Sequence, residues 1–209
     1  MRFRILLLLL LPCSTAFSQD TLITFGAKRY PVEIISKSGD SVKFRLTGKS
    51  KPKMFHKNWV SQIKYANGSS ESFFTDAEKA VPLDTLKAKI IKTISAHAYE
   101  VDSKKQQYRP FFVGDYIQMP LYVGTKRDGG PGFLYNFAHV YEFQPISERN
   151  DTDAYINIML DFQEKPNISK WKKQKLVLRV RGHKEAQEIF RLLQNYNRAM
   201  VEKQIVYKY

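Results

Sequence analysis

NWVSQIKYANGSSESF, residues 58–73, sets two short segments, 59–65 and 70–73, on either side of Asn67-Gly68. Asn-Gly between two such runs is the strongest short signal for a β-hairpin, because both central residues of a type I′ turn need positive φ. The stretches 59–65 and 70–74 are therefore read as the closing hairpin of a strand meander. Upstream, 22–25, 30–36, 42–46 and 54–55 are short segments separated by turn residues, with Val42, Phe44 and Leu46 on one face. Residues 19–78 thus form a first unit, a small β-barrel, with Phe25, Phe44, Trp59 and Phe73 as its candidate core and enough aromatic surface to fold alone, though marginally at this size.

DTLITFGAKRYPVEIISKSGDSVKFRL, residues 20–46, followed by the opening hairpin stretch, resembles a small barrel module, SH3-like or Sm-like in shape, found at the N-terminus of exported proteins of Bacteroidota. The matching features are Asp20-Thr21, the Gly39-Asp40-Ser41-Val42 hairpin and Ile63-Lys64-Tyr65-Ala66-Asn67-Gly68. Phe25-Gly26-Ala27 is shorter than the Asn- or Gly-rich turn usual there. The resemblance implies export and a fold, and no catalytic residues.

Residues 79–107 are read as a linker with a possible helix, since Leu83, Leu86, Ile90, Ile91 and Ile94 fall at helical spacing and Asp84 can cap it. From 108 the chain is strand-rich again, at 111–113, 116–123, 133–143, 154–162 and 176–180. Pro120 makes its strand an edge or a broken one. Over 183–203, Ala186, Ile189, Phe190, Leu193, Asn197, Met200 and Val201 follow the spacing of an amphipathic helix. A strand-rich domain, 108–209, closed by such a helix resembles the pleckstrin-homology-like architecture, which implies headgroup or peptide binding by analogy. The fold class expected is mainly β, α+β overall.

The chain opens MRFRILLLLLLPCSTAFSQD. Its apolar run, 5–11, falls short of the roughly 20 residues a spanning helix needs. Arg2 and Arg4 before it and Ala16-Phe17-Ser18 after it give the layout of a signal peptide, 1–18, cut before Gln19. Pro12 stands where a lipobox carries Gly, Ala or Ser, which argues against a lipid on Cys13. Cleavage removes the only cysteine, and with it disulfides, thiolate metal sites and cysteine nucleophiles.

The formal net charge is +14. Two runs lack acids: one between Asp40 and Glu71, and one holding Lys165, Lys170, Lys172, Lys173, Lys175, Arg179, Arg181 and Lys184. In a cytosolic chain they would point to nucleic acid. Export leaves no nucleic acid and makes an anionic envelope surface, acidic glycans or an envelope protein the expected partner. Solvated strand edges kept soluble by lysine are the alternative.

Chemistry-bearing motifs are sparse. His56, His97, His139 and His183 show no metal-ligand spacing, although Ala96-His97-Ala98-Tyr99-Glu100 recurs as Ala138-His139-Val140-Tyr141-Glu142, and paired strands would bring the two histidines together. Gly129-Gly130-Pro131-Gly132 lacks a phosphate-loop ending and reads as a hairpin loop. No Gly-x-Ser-x-Gly elbow occurs. The expectation is a non-enzymatic exported binding or structural module of the cell envelope, without catalytic residues, metal or cofactor. The alternative is a small envelope enzyme or metal-dependent hydrolase with an unrecognised site. Candidate contacts to an anionic partner are Lys170, Trp171, Lys172, Lys173, Arg179 and Arg181, because Trp171 among lysines suits a headgroup boundary. Alternation with Leu176, Leu178 and Val180 inward would expose both arginines.

Overall fold

The computed structural model describes residues 19–25, 28–39, 41–103, 105–164 and 170–206. The signal peptide read at 1–18, Cys13 included, lies outside the described residues. Strand exceeds helix by 52% to 24%, so the chain is mainly β.

The first six strands are β1 (Asp20–Thr24), β2 (Arg29–Ser38), β3 (Ser41–Leu46), β4 (Pro52–His56), β5 (Val60–Lys64) and β6 (Ser70–Ser72), with a 3-10 turn at Lys57–Trp59 before β5. They form one antiparallel sheet in the order β4-β3-β2-β1-β5-β6. Their inward positions, Leu22, Val32, Val42, Phe44, Val60 and Ile63, make a separate apolar core. One edge, β4, carries Pro52 and exposed Lys53, which discourage pairing with another chain. The hairpin β5–β6 forms where Asn67-Gly68 places it, but with a different turn. Gly68 N–H donates to Tyr65 O at 3.0 Å and Tyr65 N–H to Ser69 O at 2.9 Å, with Gly68 at φ +85°. That pattern centres the turn on Ala66 and Asn67 and leaves Gly68 alone in the left-handed region, a type I turn with a bulge instead of type I′.

One core candidate of this unit, Phe25, serves elsewhere. Phe25 meets Phe74 and Phe143 edge to face, at 5.6 and 5.3 Å, inside the second core. Phe73 is partly buried against the first core, as is Phe44's neighbour Phe55.

The stretch read as a linker is built into the second core. Thr75 starts α1 (Asp76–Lys79) with a reciprocal capping box to Glu78. Then α2 (Leu83–His97) buries Leu86, Ile90 and Ile94, and Asp84 lies within its first turn instead of capping it. The remaining strands are β7 (Ala98–Tyr99), β8 (Gln106–Tyr108), β9 (Phe111–Val113), β10 (Tyr116–Val123), β11 (Lys126–Phe143), β12 (Ser147–Glu148), β13 (Asp153–Gln163) and β14 (Lys172–Arg181), followed by α3 (His183–Val206). Their ladders run β11-β10-β8-β7-β14-β13 and back to β11, because the long β11 pairs β10 through its first half and β13 through its second. A closed ring of this kind has no free edges.

At the α3 end the ring is plugged. Ala186, Ile189, Phe190, Leu193, Tyr196 and Met200 enter the core, with Phe190 against Phe143 at 5.6 Å and Tyr196 against Phe137 at 6.1 Å. The spacing predicts this face except for Tyr196, whose hydroxyl donates to Asp115 O at 2.9 Å.

One cation clamps the two sheets together. Arg191 of α3 donates to Glu78 at 2.8 Å, reaches the carbonyl of Phe73, and stacks on the Phe74 ring at 4.2 Å. Hydrogen bonding to the guanidinium is the main reason the Glu78 carboxyl is lowered from 4.5 to about 2. A depressed carboxyl stabilises the fold fully above its unfolded pKa, and the contribution disappears as pH falls through the folded one. At full strength the shift corresponds to about 3 kcal/mol. With the Arg191 side chain 38% exposed, solvent screening reduces this to about 1–2 kcal/mol. Glu78→Gln is therefore expected to lower stability by that amount at pH 7 and by almost nothing at pH 2. Urea melts across that range check it, and a pH-independent loss would contradict it.

Candidate functional site at the open mouth of the second barrel

Of the six basic-run candidates the structure does not make one site. Arg179 is only 8% exposed and gives Nη2–H to Asp153 at 2.8 Å and Nε–H to the same oxygen at 3.2 Å. This corrects the expectation that alternation exposes it. Its neighbours across the ladders are Tyr155 on β13 and Tyr99 on β7, and two tyrosines flanking one outward position cover it. Arg181 is exposed over the Tyr99 ring at 5.2 Å. It stands nine residues along β14 from Lys172, about 30 Å away. The remaining four do cluster. Lys170 is exposed, half-buried Trp171 leans on Tyr116 at 5.0 Å, Lys172 pairs with Glu164 at 3.0 Å, and Lys173 lies over the Tyr141 ring at 4.4 Å.

The two histidines of the repeated pentapeptide stay apart. His97 ends helix α2 and His139 sits on β11, which pairs β10 and β13 but not β7. Instead His139 Nδ1 meets Asp161 at 3.0 Å, and the Tyr141 hydroxyl donates to the other Asp161 oxygen at 2.8 Å. Among the described residues no three His, Cys, Asp or Glu side chains are placed to hold a metal ion.

Gly129–Gly132 is not a hairpin loop, which corrects the sequence reading. The β10–β11 turn is at Gly124-Thr125, where Val123 faces Lys126. Leu121 faces Asp128 and Met119 faces Phe133, so residues 129–132 bulge outward opposite Pro120 alone. Proline has no N–H to offer the ladder, and four residues without a partner on that side are the consequence.

That bulge is the rim of a cavity of about 470 Å³ at the end of the ring away from α3. Its wall takes Tyr108 from β8, Met119 and Leu121 from β10, Phe133 and Tyr135 from β11, and Leu176 from β14. Helix α3 packs on the later part of β11, at Phe137 and Phe143. Size and apolar lining match a small-molecule site.

Two tyrosines give the cavity its chemistry. Tyr135 is 4% exposed and Tyr108 9%, yet neither hydroxyl has a hydrogen-bond partner among the described residues. Burial pushes both phenols well above their ordinary value. The Glu100 carboxylate adds to this for Tyr108, and Tyr108 adds for Tyr135. Both therefore remain neutral O–H groups, able to donate and accept at physiological pH. Around the entrance Glu100, Asp128, Glu164 and Lys175 supply charge, with Asp128 held by Gln106 Nε2–H at 2.5 Å. Sequence reasoning missed this site because its residues come from four strands. The available signal was a proline in one strand facing a glycine run in the next. No helix among the described residues is long and apolar enough to cross a membrane. Compared with protein-family models, curated proteins and solved structures, the chain matches none.

Proposed function

We propose that this chain is a non-enzymatic binding module of the cell envelope, whose second barrel holds a small amphipathic molecule in its open mouth. The observation that carries this reading is the pair of largely buried tyrosines, Tyr108 and Tyr135, whose hydroxyls have no partner among the described residues and whose side chains line the cavity. A ligand with an apolar body and one hydrogen-bonding end would satisfy both. Such a ligand would take the place of water on the two hydroxyls while its apolar body covers Met119, Leu121 and Leu176.

The test is ligand-detected NMR with a library of small amphipathic fragments, on wild type and on Tyr108→Phe/Tyr135→Phe. Fragments are expected to bind wild type and to lose about tenfold in affinity in the double variant, equivalent to about 1.4 kcal/mol. Removal of two unpaired hydroxyls is expected to leave thermal stability unchanged or higher. Equal binding by both proteins, or a clear drop in stability of the variant, would contradict the reading.

An anionic partner is supported by exposed Lys170, Lys172 and Lys173 beside Trp171, which leans on exposed Tyr116. We also propose export with cleavage before Gln19, and the intact mass of the secreted chain checks it. A species beginning at a diacylated Cys13 would overturn it. The first sheet's order, with a 3-10 turn before β5, supports the SH3-like reading, and a ring closed by a terminal helix supports the pleckstrin-homology-like one.

A further inference from the structure

A second crevice, of about 220 Å³, lies where the two sheets meet. From the first sheet come Lys28, Tyr30, Phe55 and Trp59, and from β11 come Tyr141 and Glu142. Their rings form a connected wall, with Tyr30 on Phe55 at 5.8 Å and Phe55 on Trp59 at 5.6 Å.

Two features of this wall ask for a ligand. First, aromatic faces attract cations through the ring quadrupole, most strongly for tryptophan, and Tyr141 already carries Lys173 at 4.4 Å. Second, Lys28 and Glu142 line the same small space with opposite charges, yet neither is paired with the other or with any described residue.

We infer that the crevice binds a small zwitterion bearing a quaternary ammonium and an oxyanion. The ammonium has no N–H to satisfy, so ring faces and the Glu142 carboxylate suffice for it. The oxyanion pairs with the Lys28 ammonium, beside the Trp59 ring. The crevice volume limits the bound portion to the size of a headgroup or a small solute. Because the residues come from both sheets, occupancy would also tie the two units together.

The experiment uses the chain from Gln19 with Trp171→Phe, so that indole fluorescence and the indole N–H resonance report Trp59 alone. The probes are phosphocholine, glycine betaine, choline, inorganic phosphate, and phosphatidylcholine vesicles. Saturable shifts of the Trp59 indole proton are expected with a zwitterion, with choline and phosphate each at least about tenfold weaker. Glu142→Gln and Lys28→Gln, both changes of solvent-accessible charge that leave the cores intact, are each expected to weaken zwitterion binding about tenfold. Response to the free solutes alone identifies a soluble ligand. Vesicle co-sedimentation competed by free phosphocholine identifies a lipid headgroup. No saturable Trp59 shift with any zwitterion, or choline binding as tightly and ignoring Glu142→Gln, would overturn the inference.

Discussion

Arg179→Met should cost the fold about 3–5 kcal/mol, because it leaves the buried Asp153 carboxylate without its cation. Asp153 is 8% exposed and takes both the Nε–H and the Nη2–H of Arg179 on one oxygen. Methionine preserves the length and apolar stem of the arginine, so packing changes little and the lost pair dominates. Changing both residues, as Arg179→Met/Asp153→Leu, should recover most of the loss, since an apolar pair carries no desolvation penalty. Chemical denaturation of the two single variants and the double variant measures the coupling directly. A single-variant loss below about 1 kcal/mol would be the behaviour of a solvated surface pair. It would also return Arg179 to the list of residues free to meet an anion.

The second large effect belongs to Gly132. A Cβ built there would lie 2.4 Å from Met119 C and Pro120 N and 2.5 Å from Met119 O, and the residue has φ +80°. Those contacts are backbone atoms of the facing strand, which cannot swing aside as a side-chain tip can. Gly132→Ala is therefore expected to destabilise by about 2–4 kcal/mol, combining left-handed strain with a forced shift of β10. Gly130→Ala is the internal control. Nothing lies within 4 Å of the equivalent Cβ and its φ is not in the left-handed region, so the change should be within about 0.5 kcal/mol of neutral. Equal melting temperatures for the two variants would show that the bulge is looser than described.

Local patterning reached far into this fold. Alternation located β3, the Asn67-Gly68 turn located β5, and 3-4 spacing located α2 and α3, because one face of each helix meets a core and side-chain period reports which face. Where two elements cover the same residue, the pattern stops being informative. Arg179 is outward by alternation and buried by its tyrosine neighbours on two other strands. Thr75-x-x-Glu78, at the end of the first unit, was a readable capping box for α1 that the strand-based reading passed over. The mouth was the least legible feature, since Tyr108, Met119, Tyr135 and Leu176 converge only once the ring closes. Pro120 and Gly129–Gly132 each signalled irregular backbone, but nothing in the one-dimensional order says that they face each other.

The proposed function requires the mouth to be a ligand site built on Tyr108 and Tyr135. A chemical-shift map of the ¹⁵N-labelled chain, titrated with the tightest fragment, tests it most directly. The expected result is saturable shifts of Gln106, Gly129, Gly130, Gly132 and Lys175 amides, absent in Tyr108→Phe/Tyr135→Phe. Shifts confined to Lys170–Lys173 or to the groove between the sheets, with the mouth amides unmoved, would contradict it.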